Sequence, residues 1–261
     1  MKISIIGLRW LGLPLAKSLQ NSGNSIFGTT TSFYKKEKID TRIKVTLFDF
    51  TENQTLDQEI IINCDLAIIT VPPFIKMPND SYGNYLLEVV EQFSSKTKFI
   101  FTSSTSVYPK ESGFYNEDSK TIEDSPVMIA ENKLKKHLNK KLTILRLGGL
   151  YGINRHPIYH LQGKDNINNP YGTINFIHIA DIIEVIQLTI RQKVYGNTFN
   201  VVHHAHPTRV EYYHELVKQL NLKSISFKEE TAKTKPRIID SSKILNELNL
   251  EFRRSLYPPF Q

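Results

Sequence analysis

The first 150 residues alternate between short apolar runs and segments whose apolar positions follow helical spacing. The apolar runs predict strands at residues 2–6, 25–30, 44–48, 66–71, 98–102 and 142–147. Helical spacing predicts helices over 11–22, 82–94 and 126–140. Strands that alternate with helices are typical of a parallel sheet covered on both faces. The predicted fold class is therefore α/β, with a doubly wound parallel sheet.

The pattern changes after about residue 150. Loops rich in Asn, Pro, His and Tyr follow, interrupted by predicted helices near 179–191, 209–220 and 241–248. No Gly/Ser-rich linker separates the two parts. We therefore predict a sheet domain over 1–150 and a smaller lobe over 151–261 that is interleaved with it rather than independent.

The first predicted strand ends at a glycine that opens a short loop before the first helix. The loop reads Gly7-Leu8-Arg9-Trp10-Leu11-Gly12. In dinucleotide-binding folds the first glycine permits a sharp turn, the last allows close helix packing, and the helix N-terminus offers N–H groups to a pyrophosphate. We predict that Gly7, Arg9, Trp10, Leu11 and Gly12 bind a dinucleotide.

Arg9 stands where the usual G-x-G-x-x-G pattern has its middle glycine. Its side chain can clamp the pyrophosphate or fill the space that the phosphates need. The length and charge of the guanidinium favour the clamp.

Composition restricts the class of protein further. The chain has 261 residues, 23% of them charged, and a net charge of +7, as suits a globular domain. The lysines are scattered, so we expect no nucleic-acid partner. Arg9, Pro14 and Lys17 interrupt the N-terminal apolar run, and we expect neither a signal peptide nor a membrane partner. Cys64 is the only cysteine, which excludes an intramolecular disulfide and favours a cytoplasmic location.

Three further segments complete a family pattern. They are residues 101–108 (Phe-Thr-Ser-Ser-Thr-Ser-Val-Tyr), 145–152 (Leu-Arg-Leu-Gly-Gly-Leu-Tyr-Gly) and 175–182 (Asn-Phe-Ile-His-Ile-Ala-Asp-Ile). With the glycine loop they resemble the extended short-chain dehydrogenase/reductases, the NAD-dependent epimerase/dehydratase family, over nearly the whole chain. The loop is similar to that of a divergent bacterial branch with G-x-x-W-L-G. The resemblance implies a Rossmann domain, a substrate lobe, bound NAD or NADP and a small-molecule substrate such as a nucleotide sugar. We expect a monomer or homodimer.

The resemblance assigns catalysis to a serine and to a Tyr-x-x-x-Lys pair on the helix after the fifth strand. Ser104 matches the serine and Lys133 matches the lysine, but Ile129 occupies the tyrosine position and has no proton to exchange. Ser104 either bonds a substrate or satisfies loop N–H groups. Tyr108 or Tyr115 is a candidate replacement acid.

Two classes of function follow from this departure. One is an oxidoreductase or epimerase that uses a relocated acid. The other is a non-catalytic dinucleotide-binding or regulatory protein. The missing tyrosine favours the second class, whereas the retained serine and the substrate lobe favour the first.

Cofactor preference is predicted from the ends of the second to fourth strands. Hydroxyls and a lysine after the second strand, with no carboxylate, favour the 2′-phosphate of NADP over NAD, although a simple polar loop has the same composition. The resemblance also implies an adenine contact at the end of the third strand and a ribose contact at the end of the fourth. In a fold without a cofactor, the same residues would be a turn carboxylate and a rigid segment that leaves the strand. The residues concerned are Thr30, Thr31, Ser32, Lys35, Asp49, Thr70, Val71 and Pro72.

Two other polar clusters are weaker candidates. Arg155, His156 and Tyr159 fall where relatives hold a nucleotide-sugar substrate, but surface loops have the same composition. His203 and His206 lack a Cys or carboxylate at ligand spacing, so we predict no metal site.

Overall fold

Strands and helices alternate along the chain as the hydrophobic pattern predicts. A computed structural model describes residues 1–37, 39–49, 51–52, 55–73, 78–229 and 235–260. The strands are β1 (Lys2–Ile6), β2 (Ser25–Thr30), β3 (Lys44–Leu47), β4 (Leu66–Ile69), β5 (Lys98–Ser104), β6 (Gly113–Tyr115), β7 (Leu142–Leu147), β8 (Gly149–Tyr151), β9 (Phe176–His178), β10 (Thr198–Val201) and β11 (Arg237–Ile239). The helices are α1 (Gly12–Asn21), α2 (Phe33–Glu37), α3 (Gln58–Ile61), α4 (Ser81–Glu91), α5 (Pro126–Leu138), α6 (Ile158–Leu161), α7 (Ile179–Gln192), α8 (Arg209–Gln219) and α9 (Ser242–Leu248).

A seven-stranded sheet has the order β10-β7-β5-β4-β1-β2-β3. The pairs β1 with β2, β1 with β4, β2 with β3 and β4 with β5 are parallel. The strand order reverses between β1 and β4, and ligands of doubly wound sheets bind at the carboxyl edge beside such a reversal. The predicted α/β class with a doubly wound parallel sheet is confirmed.

Local sequence explains where the helix that carries the candidate catalytic positions begins. The hydroxyl of Ser125 accepts a hydrogen bond from the N–H of Met128, and Pro126 occupies the first turn of α5. Lys135, Lys136 and His137 lie in its last turn, where positive charge complements the helix dipole. The helix ends at Leu138 and a 3₁₀ turn continues to Lys141.

The described residues form two compact units, each built from several segments. The first comprises Met1–Val107, Thr121–Arg146 and Gln187–Thr198, and the second comprises Tyr108–Lys120, Leu147–Ile186 and Phe199–Gln261. The predicted boundary near residue 150 stays a prediction.

The core of the first unit combines aliphatic side chains with several phenylalanines, and the core of the second unit contains buried tyrosines among aliphatic side chains. Continuous burial of β4 and β7 matches their uninterrupted apolar sequences. In the second unit Tyr151, Tyr212 and Tyr213 are almost fully buried, with Leu216 and Leu256 beside them. The strands β6, β8, β9 and β11 of this unit are not predicted by the hydrophobic pattern, because each has only three residues.

Within the described ranges, no helix combines the length and the apolar character that crossing a bilayer requires.

Candidate functional site

The glycine loop lies where β1 and β4 end side by side. Gly7 has a φ of +103°, and a Cβ atom there would lie 2.6 Å from Cγ1 of Val71. A Cβ atom on Gly12 would lie 2.2 Å from the carbonyl oxygen of Gly7. Both positions therefore require glycine, the first for its backbone conformation and both for the close approach.

Hydrogen bonds fix this loop to the strands on both sides. The N–H of Leu8 donates to the carbonyl of Thr29 at 2.7 Å, and the N–H of Gly7 donates to the Thr29 hydroxyl at 3.0 Å. On the other side the Thr70 hydroxyl donates to the Gly7 carbonyl at 2.7 Å. The loop is thus held by β2 and by the end of β4.

The N-terminus of α1 has the properties of an anion site. No side chain caps it, and its first turn holds no acidic residue. Among the described residues, no hydrogen-bond acceptor is found for the backbone N–H groups of Leu11 and Gly12. Arg9 is exposed beside them, and Trp10 is half-buried. Unpaired N–H groups, the helix dipole and a guanidinium together suit a phosphate.

The end of β2 presents its hydroxyls unequally. Thr30 is buried and its hydroxyl accepts a hydrogen bond from the N–H of Ser32 at 3.4 Å. Thr31 is exposed and Ser32 is half-buried. The side chain of Lys35 lies outside the described part of the structure. Thr31 is therefore the most accessible of the three predicted hydroxyls.

Asp49 closes a turn immediately after β3. One of its carboxylate oxygens accepts hydrogen bonds from the N–H of Thr51 at 3.0 Å and from the Thr51 hydroxyl at 2.7 Å. This is the geometry of the turn-carboxylate interpretation. The adenine contact stays a prediction.

The exit from β4 is anchored to α4. The Tyr82 hydroxyl donates to the Val71 carbonyl at 2.7 Å, and Val71 is buried whereas Pro72 is exposed. Together with the hydrogen bond from Thr70 to the Gly7 carbonyl, this contact holds the end of β4 in place beside the glycine loop.

The predicted catalytic positions lie on β5 and α5. The Ser104 hydroxyl accepts a hydrogen bond from the N–H of Ser106 at 3.1 Å and retains its own proton for donation. Ile129 is half-buried four residues before Lys133. The Lys133 ammonium donates to the Asn84 side chain on α4, and a Cβ atom on Gly83 would lie 3.1 Å from the lysine chain. Lys133 thus contributes to the packing between α4 and α5.

The same helix, α5, carries one partner of a buried ion pair that the sequence predictions do not include. Arg146 on β7 donates to both carboxylate oxygens of Glu131 at 2.8 to 3.2 Å. The Ser103 hydroxyl donates to the same carboxylate at 2.6 Å, and the Lys135 ammonium does so at 3.3 Å. Glu131 is fully buried, so this network connects α5 to β5 and β7.

A sequence signal for this pair does exist. Glu131 lies three or four residues from the apolar positions Val127 and Leu134, which places it on the buried face of α5. A charged residue at a core position requires a partner, and the arginine of the 145–152 motif is the candidate.

Tyr108 and Tyr115, the candidate replacement acids, belong to the second unit. Tyr108 is buried, and its hydroxyl donates to the Asn200 side chain at 2.7 Å. The Tyr115 hydroxyl donates to the Glu111 carbonyl at 3.1 Å, and the Arg237 guanidinium lies 5.5 Å from its ring centroid. Tyr108 has the environment of a structural residue.

His156 is a core residue of the second unit. Its Nδ1 accepts a hydrogen bond from the N–H of Ile158, so Nε2 carries the proton and donates to the Tyr212 hydroxyl at 2.8 Å. Burial lowers the pKa of His156 to about 4. Arg155 and Tyr159 are exposed beside it, and their substrate role stays a prediction.

Three histidines, His203, His204 and His206, follow β10. His203 and His206 are at least partly buried, and His204 is exposed. Nowhere in the described ranges do three or more His, Cys, Asp or Glu side chains gather closely enough to hold a metal ion.

Comparison with known proteins identifies the family of this chain and shows which solved structures share its fold. Protein YeeZ of Escherichia coli (strain K12) is 32% identical over 272 residues, which cover 97% of this chain and 96% of that protein. No family model matches the chain.

Solved structures share the fold at lower identity. UDP-glucuronic acid 4-epimerase from Bacillus cereus, in complex with UDP-glucuronic acid and NAD, superposes with a TM-score of 0.79 at 21% identity, covering 98% of this chain and 95% of the other. A functionally unknown conserved protein from Silicibacter pomeroyi DSS gives 0.75 at 18%, covering 99% and 95%.

Proposed function

The chain belongs to the family of protein YeeZ, a divergent branch with the fold of the extended short-chain dehydrogenase/reductases, and from this premise we propose that it binds a nicotinamide dinucleotide. The carrying observation is the glycine loop at the strand-order reversal, where two Cβ atoms would not fit and the N–H groups of Leu11 and Gly12 remain for an anion. A solved structure of the same fold holds NAD.

The chain's own residues suit that group in named roles. Leu11 and Gly12 offer N–H groups to the pyrophosphate, and the exposed Arg9 guanidinium pairs with its charge. Thr70 and Val71 form the floor beneath the ribose. The nicotinamide, when bound, supplies a hydride acceptor or donor.

We further propose that the protein senses the dinucleotide rather than turning it over by a tyrosine-dependent route. Ile129, four residues before Lys133, can neither donate nor accept a proton, so the tyrosine that this route requires is missing. A second candidate function, an epimerase or reductase that acts on a nucleotide sugar, is favoured by Ser104, whose hydroxyl keeps a proton to donate. Cys64, the single cysteine, supports a cytoplasmic location for either.

Calorimetric titration with NADP⁺ and NAD⁺ tests the binding proposal. Arg9→Ala should weaken binding of either cofactor about tenfold or more, because a charge-assisted contact to phosphate is worth roughly 1.5–3 kcal/mol. Arg191→Ala, which removes an exposed arginine from α7, is the matched control and should bind normally. Unchanged affinity in Arg9→Ala would reject the clamp, and no heat with either cofactor at millimolar concentration would reject the proposal.

Preference for NADP is a separate proposal that rests on the exposed Thr31 hydroxyl and the absence of a carboxylate at the end of β2. The expected ratio in favour of NADP is about tenfold, the equivalent of one contact to the 2′-phosphate. Thr31→Asp should reverse the preference, because a carboxylate repels that phosphate and accepts from the ribose hydroxyl of NAD. Tighter binding of NAD by the unmodified protein would contradict this proposal.

A further inference from the structure

A cavity of about 310 Å³ lies within the second unit, between the segment that follows β10 and the C-terminal segment. His203, His206 and Pro207 line it from the first segment, and Leu256 and Tyr257 line it from the second. This volume is near the lower limit for small-molecule sites, so it suits a single ring. None of these residues has a role in the proposed dinucleotide site.

The two imidazoles that line the cavity differ in the proton on Nε2, one being a donor and the other an acceptor. Nδ1 of His203 accepts a hydrogen bond from the N–H of Ala205 at 3.0 Å, so the proton of that ring is on Nε2. Nδ1 of His206 lies 3.3 Å from the carbonyl oxygen of Ile174, which can only accept, so Nε2 of His206 carries a lone pair. Neither Nε2 atom has a hydrogen-bond partner among the described residues.

Charge around the rings favours their neutral forms. Burial, together with repulsion from His204 and His206, lowers the pKa of His203 to about 4. Burial also lowers the pKa of His206, although Asp240 acts in the opposite direction. At neutral pH the cavity therefore offers no cationic side chain from these rings to a phosphate or carboxylate ligand.

The same protonation pattern argues against a metal. A metal ion requires a lone pair from each imidazole, and the lone pair of His203 is already used by the Ala205 N–H. A polyol presents hydroxyls on all sides, but Ala205, Pro207 and Leu256 line the cavity with apolar side chains, and Ser255, whose hydroxyl accepts from the N–H of Tyr257, is the one hydroxyl side chain beside Tyr257 in the lining. A flat ring with one polar edge satisfies both the walls and the imidazoles.

We propose that this cavity binds a small, neutral, planar ring through an amide edge. The ring's carbonyl accepts a hydrogen bond from Nε2 of His203, and its N–H donates to Nε2 of His206. The ring faces pack against Pro207, Leu256 and Tyr257. This site shares no residue with the proposed dinucleotide site and does not depend on it.

Titration of the full-length, ¹⁵N-labelled protein with uracil, followed by the imidazole signals in NMR spectra, tests the proposal. Uracil should shift the His203 and His206 signals saturably in the millimolar range. 1,3-Dimethyluracil keeps both carbonyls and the ring but lacks N–H donors, and it should bind roughly threefold to tenfold more weakly. Uridine carries the same amide edge on a ribose and distinguishes a nucleoside from a free ring as the source; binding of either supports the site.

Matched variants separate the contact from the fold. His203→Asn and His206→Asn retain a polar atom near the position of Nδ1 but remove Nε2, so each should weaken uracil binding roughly threefold to tenfold. His203→Gln and His206→Gln retain a polar atom near Nε2 and should lose less. No saturable shift, equal affinity for dimethyluracil in the unmodified protein, or tighter binding of the anion orotate would overturn the proposal. Because the titration contains no dinucleotide, its failure would leave the proposed function untouched.

Discussion

Replacing Glu131 should destabilise the first unit more than any exposed charge change on the same unit. Its carboxylate is fully buried and accepts hydrogen bonds from Arg146, Ser103 and Lys135. Glu131→Gln keeps the shape of the side chain but leaves the 3%-exposed Arg146 guanidinium without its counter-charge. The perturbation therefore isolates the buried charge pair.

The magnitude follows from the cost of an uncompensated buried charge. Removing one partner of a buried ion pair typically costs about 3–5 kcal/mol, whereas replacing both by apolar residues is often nearly neutral. Glu131→Gln should fall at the lower end, because its amide still accepts from Ser103. The double replacement Glu131→Leu with Arg146→Met should cost clearly less than the sum of the two single changes.

Urea unfolding followed by Trp10 fluorescence measures these free energies in the unit that contains the pair. Glu88→Gln, an exposed change on α4, is the control and should stay within about 0.5 kcal/mol of the unmodified protein. A loss below about 1 kcal/mol for Glu131→Gln, or additive single and double variants, would refute the coupling.

Three further predictions concern other parts of the chain. Ile129→Tyr should leave NADPH oxidation with carbonyls and sugar nucleotides at background, as expected of a protein specialised for binding; a gain of about 10²–10⁴-fold would instead mean that only the phenol was missing. Burial raises the pKa of Asp181 to about 7, so the folded state retains a proton that the unfolded state releases near pH 4. The free energy of unfolding should therefore fall as pH rises from about 4 through 7. Asp181→Asn should flatten this slope in thermal unfolding measured across that range. Gly12→Ala should abolish dinucleotide binding in calorimetry and lower the melting temperature, since its Cβ would lie 2.2 Å from the Gly7 carbonyl, and normal binding would contradict the tight loop.

Local patterns predicted the sheet and the helices α7, α8 and α9 well, but they missed the short strands of the second unit, for a physical reason. Strands such as β4 are buried on both faces, so their apolar runs stand out in sequence. Three-residue strands such as β8 and β9 carry no detectable periodicity, and their pairing depends on contacts distant in sequence. The family resemblance pointed to Ser104 and Lys133 as site positions but gave no information on their hydrogen-bond partners, and the hydrogen bond from Lys133 to Asn84 emerges only from helix packing.

The departure from the usual glycine pattern has a geometric explanation in the loop itself. Gly7 and Gly12, the two glycines that the chain keeps, are the positions where a Cβ atom would collide with Val71 or with the loop's own carbonyl. Leu8 is directed inward, and its side chain occupies the space above Gly28 that a Cβ atom there would need. Arg9 is exposed, and its backbone does not adopt the positive φ that Gly7 has. The loop geometry therefore leaves room for a side chain at the middle position, and in the proposed function the Arg9 cation beside the uncapped N-terminus of α1 adds to the attraction for a pyrophosphate.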